Sequence, residues 1–114
     1  MGGQFAHIHH ARINWLEHRA RALPKRLKKL DGRKTTKATL RQALMESGKA
    51  AGETIAEAER TATLKGAKRG PVAFLGYALA HEAHHRGQII LHLKYAKQPI
   101  DRMFGYCLWE WGKI

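Results

Sequence analysis

Residues 71–96 read PVAFLGYALAHEAHHRGQIILHLKYA. Pro71 suits the first turn of a helix, where its missing N–H is not needed, and no further proline interrupts the run to Ala96. At 100° per residue, Phe74, Ala78, His81, His85, Gln88 and His92 fall within one narrow sector, and Leu75, Leu79, Ile89 and Leu93 form a flanking apolar strip. Polar, ring-bearing side chains therefore occupy a face that should point inward. Burying them is expensive unless each finds a partner. His81 and His85, four apart, project side by side and can share one metal ion. A pair at this spacing is common on helices; its inward-facing company is what distinguishes it.

Upstream, a first helix is expected from about Gly3 to Leu23, ended by Pro24. Phe5, Ile8, Trp15 and Leu16 share one side of it, and His7, Ala11, Asn14 and His18 form an adjoining stripe. His7 is the natural third ligand. His9 falls on the far side and is expected in solvent, while His10, His18, His84 and His92 flank the stripes. A second helix should start after Thr35-Thr36, either of which can cap it. Leu40, Leu44, Ala51, Ile55, Ala58 and Ala62 make its expected core face, with Gly48 and Gly52 allowing close helix packing. Lys65 to Gly70 is a loop. Beyond Gln98-Pro99, the aromatic segment Met103–Trp111 is expected to form a short terminal helix over one end of the bundle. The fold class is all-α.

With 114 residues and 44% apolar content, the chain makes one domain, 1–114, with a modest core. The lone Cys107 permits no internal disulfide. The longest apolar stretch, Pro71 to Ala80, is far short of the roughly 20 residues that span a bilayer, and the first residues lack the pattern of a signal peptide. A cytoplasmic protein without a membrane segment is expected. Charge is the unusual feature: 21 Lys+Arg against 9 Asp+Glu, a net +12, with eight basic residues between Arg19 and Lys34. Such a field attracts nucleic acid, anionic membranes or small anions, or simply solubilises one face. No DNA-reading motif is present and the aromatics keep core spacing, which disfavours nucleic acid as the partner.

Three neutral imidazoles, His7, His81 and His85, leave a metal with positions open to water or substrate, the mark of a catalytic rather than a structural site. They suit zinc, nickel, copper and iron alike. His81-Glu82-Ala83-His84-His85 also matches HExxH, the helix on which zinc proteases carry a general-base glutamate. The longer protease pattern requires Gly at 88 and His at 91, where this chain has Gln88 and Leu91, and Glu82 points about 100° away from His81. Glu110 could act as a downstream carboxylate ligand. The HExxH match is read as accidental.

His81-Glu82-Ala83-His84-His85-Arg86-Gly87-Gln88, continued by Ile89 to Lys94, resembles the HxxxHRGQ signature helix of the DinB-like family. Phe5-Ala6-His7-Ile8 with Arg12, Trp15 and Leu16 is similar to the segment bearing that family's first histidine ligand, and Tyr106–Gly112 to its tryptophan-rich close. The resemblance implies an up-down-down-up four-helix bundle with nickel or zinc on His7, His81 and His85. It also implies a metal-dependent enzyme, a thiol S-transferase or hydrolase acting on a small molecule, in some members with a low-molecular-weight thiol cosubstrate. It carries over no catalytic acid or base. A basic stress or nucleic-acid-binding protein with a non-catalytic metal is the alternative. Members have a complete helix before the one with the first histidine, whereas here the sequence opens almost on it. The three long helices should then expose an apolar groove, and a homodimer is expected to fill it.

Overall fold

A computed structural model describes residues 2–20, 22–31, 34–98 and 100–103. Its elements are three helices, α1 (Gly2–Arg19), α2 (Lys37–Thr61) and α3 (Gly70–Tyr95), with no strand among the described residues. None of these helices is long and apolar enough to cross a membrane. The boundaries follow local chemistry. The Thr36 hydroxyl accepts the Thr39 N–H at 3.1 Å and caps α2. Gly70, at φ +81, makes the turn that Pro71 then converts into α3. The terminal helix expected over Met103–Trp111, together with Cys107 and Glu110, lies outside the described residues except at Met103.

Side-chain pairings set the directions. Arg12 reaches Leu44, Leu16 packs with Ala50, and Arg19 reaches the Lys65 carbonyl just beyond α2, so α1 and α2 run parallel. Gln4 meets His85, Arg12 meets Glu82, and Trp15 meets Phe74, so α3 runs antiparallel to α1. The parallel pair needs a crossover, which the basic linker provides. α1 ends ahead of Leu23 because the chain turns there, laying Leu23 and Leu27 against Ile13, Leu16 and Ala50. That burial outweighs a further helical turn.

The linker is also held by α1. His9 is not in solvent as its helical position suggests; it is 1% exposed, and its Nε2–H donates to the Lys28 carbonyl at 2.9 Å. Leu30 N–H donates to His10 Nε2 at 2.8 Å. The far side of α1 is covered by chain that returns along it.

On α2, Ala58 of the expected core face is buried, but the other buried positions, Ala43, Ser47 and Ala50, lie to one side of that face. Leu44, Ala51 and Ile55 instead stand half-exposed, and Ala51 and Ile55 form one wall of a cavity of about 190 Å³, with Leu75 and Leu79 of α3 opposite and α1 as floor. The larger apolar side chains point into this groove, and the alanines take the tight contact with α1. Gly48 makes room for a guanidinium rather than a helix: an added Cβ would lie 3.1 Å from Arg12 Nη1. At Gly52, which lines the cavity, a Cβ would meet nothing within 4 Å.

Candidate metal centre

The inward face of α3 is laid out as its period requires: Phe74 and Ala78 are buried, and His81, His85 and Gln88 half-buried. α1 brings His7 across to the same place. Ring centroids are 5.6 Å apart for His7–His81, 4.4 Å for His7–His85 and 4.6 Å for His81–His85. One ligand nitrogen from each ring lies within 4.8 Å of the others. Bonds of about 2.0–2.1 Å to one tetrahedral ion bring such nitrogens to about 3.3 Å. Ring rotation closes that gap.

Two observations test whether a metal fits. His81 Nδ1 is buried with no hydrogen-bond partner, an orphaned polar atom of the kind an ion satisfies. His85 Nδ1–H donates to Gln4 Oε1 at 2.8 Å, which fixes the tautomer and leaves Nε2 with its lone pair free. The three rings therefore suit a metal ion, with His7, the exposed member of the group, on the open side. The His85 imidazole lies below its ordinary value, through desolvation first and then the neighbouring His7 and His81. It stays neutral, as a ligand must.

Glu82, which HExxH would use as general base, is turned to Arg12. The guanidinium grips it bidentately, Nε to Oε1 at 2.5 Å and Nη2 to Oε2 at 2.7 Å, while Nη1 donates to the Leu44 carbonyl at 2.9 Å. This ion pair ties all three helices together directly beside His81. Trp15 closes the floor, its ring edge-on to His81 at 5.2 Å. Of the flanking histidines, His84 Nε2 accepts from the Gln88 amide at 2.8 Å on the exposed side, and His18 and His92 are exposed. His9 and His10 serve the linker. Burial pushes the His10 imidazole below its ordinary value, and the charges of His9 and Lys29 act in the same direction.

Sequence reasoning missed Gln4 and the Arg12–Glu82 pair. Gln4 lies one turn from His7, and its spacing is the only signal that could have found it. Gln4→Ala removes the acceptor that orients His85, and affinity for zinc should fall about tenfold or more, as when such supporting partners are lost elsewhere. Competition titration checks this, with an unchanged helical circular-dichroism signal as control. Equal affinity would remove Gln4 from the site.

Comparison of the chain with family models, with curated proteins and with solved structures gives no match.

Proposed function

We propose that this chain is a metal-dependent enzyme of the DinB-like kind, holding one zinc or nickel ion on His7, His81 and His85. It acts in the cytoplasm on a small molecule, by thiol transfer or hydrolysis. The observation that carries the reading is the convergence of the three imidazoles, from chain positions over 70 residues apart, with their ligand atoms within 4.8 Å. Donors brought together from distant segments are hard to explain by packing alone. The helix directions also agree: two parallel helices followed by an antiparallel one match the last three of an up-down-down-up bundle. In this reading a second copy of the chain covers the groove between α2 and α3.

A bound ion of this class would supply Lewis acidity, bringing water or a thiol to its anionic form near neutral pH. The protein's own part is positional. Gln4 orients His85, Trp15 bounds the floor beside His81, and the Arg12–Glu82 pair fixes the spacing of α1 and α3. Because Glu82 is committed to Arg12, it is not the base; the HExxH-type role stays unassigned.

Metal analysis of untagged protein beside a His81→Ala/His85→Ala variant tests the reading. About one ion per chain is expected in the first and none in the second. Equal contents would end it.

A further inference from the structure

We propose that Tyr77 determines the specificity of the three-histidine centre, its exposed ring forming a platform for an aromatic group next to the reacting end of the substrate. This rests on the metal-binding reading above and deepens it by naming the substrate class, a small molecule with a flat, uncharged ring.

Tyr77 lies on the open side of the centre for the same geometric reason as His7. Arg12 and Glu82, joined across α1 and α3, both line the groove beside α2. His7 precedes Arg12 by five residues and Tyr77 precedes Glu82 by five, so each stands about 140° round its own helix from the pair. Because α1 and α3 are antiparallel and face each other, both rotations lead to one flank, the one turned away from α2. His7 and Tyr77 are both exposed, and neither lines the groove. A second copy seated over the groove leaves this flank free.

Ring contacts tie Tyr77 to the centre. Its centroid is 6.2 Å from that of His81, with the planes at 37°, and 5.8 Å from that of Trp15, which itself meets His81 edge-on. Phe74 packs against it from one turn earlier on α3, at 6.2 Å. Tyr77 still keeps 55% of its surface in solvent. Tyr95 is more exposed, but among the described residues no ring contact joins it to a candidate ligand. A ring held against three others is a fixed surface, so covering it costs little side-chain freedom. Offset or edge-on contact with a second aromatic ring then adds up to about tenfold in affinity beyond the area buried. A molecule that meets the centre with its reacting group can lay a neighbouring ring on this platform.

Cobalt-loaded protein gives a visible spectrum that changes when a ligand enters the metal's open positions. Acetohydroxamate, cyclohexanecarbohydroxamate and benzohydroxamate offer the metal the same group and differ in what lies beside it. In the parent, benzohydroxamate should half-saturate at a concentration about tenfold below acetohydroxamate, and below the cyclohexane compound as well. Tyr77→Phe should keep that order. Tyr77→Leu, which retains apolar bulk without a flat face, should bring benzohydroxamate level with the cyclohexane compound. Tyr95→Ala should match the parent. Cobalt affinity should be unchanged in all three variants. The ranking in the parent decides the aromatic preference even where a variant fails to fold. Equal affinity of the parent for the three probes would overturn the inference while leaving the metal site intact. So would a benzohydroxamate preference that survives in Tyr77→Leu, since the probe's ring would then rest elsewhere. A parent protein that takes up no cobalt would overturn both this inference and the metal-binding reading.

Discussion

Arg12→Met should destabilise the fold by about 3 kcal/mol, the low end of what is lost when one partner of a buried ion pair is removed. The low end applies because the two side chains keep 16% and 23% of their exposure. Methionine preserves the length of the stem but leaves Glu82 unpaired beside His81 and takes one donor from the Leu44 carbonyl. The double change Arg12→Met/Glu82→Leu should recover most of the loss, because an apolar pair of similar volume leaves no stranded charge. Urea unfolding of the parent, the single and the double variant reads both effects. A single variant within about 0.5 kcal/mol of the parent would show that the pair behaves like an ordinary surface salt bridge.

Zinc should raise the thermal midpoint by roughly 10 °C or more when its free concentration is a hundred times the dissociation constant. That excess stabilises the folded state by about 2.7 kcal/mol, and a domain of this size moves several degrees per kcal/mol. The shift should vanish in His81→Ala/His85→Ala. It should also depend on pH with a definite sign. Imidazole ligands bind metal only when neutral, so protons compete. His85 is already held below its ordinary 6.5 by burial and by its histidine neighbours. The zinc-induced shift should therefore persist at neutral pH and be lost only as the solution is acidified below that value. A shift that is unchanged at acid pH, or equal in the histidine variant, would mean that zinc acts elsewhere on the chain.

Much of the helical layout was legible because it depends on neighbours in sequence. Thr36 caps, Pro71 starts, and the period of Phe74, Ala78, His81 and His85 puts one face inward. The candidate ligands followed from the same arithmetic: once α1 and α3 are helices, His7 and the His81–His85 pair each define a stripe, and only their meeting had to be supplied. What failed depended on where the chain goes between helices. His9 looks exposed on a helical wheel because nothing local says that Lys28 will return to cover it. Most of the closed α2 contact lies to one side of the expected face because apolar pattern alone does not tell a wall of a groove, formed by Ala51 and Ile55, from a closed contact made by Ala43 and Ala50. Arg12 and Glu82, 70 positions apart, carry no mark of their partnership.

The alanine-rich core of the three helices has a calorimetric consequence. Ala6, Ala11, Ala43, Ala50, Ala58 and Ala78 supply much of the buried apolar set among the described residues, while Leu79 remains 58% and Val72 78% exposed. Melting such a fold wets comparatively little new hydrocarbon, so the heat-capacity increment and the denaturant slope should both fall below those usual for the chain's length. Its free energy then varies gently with temperature, and the protein tolerates cold better than a larger, greasier interior would allow.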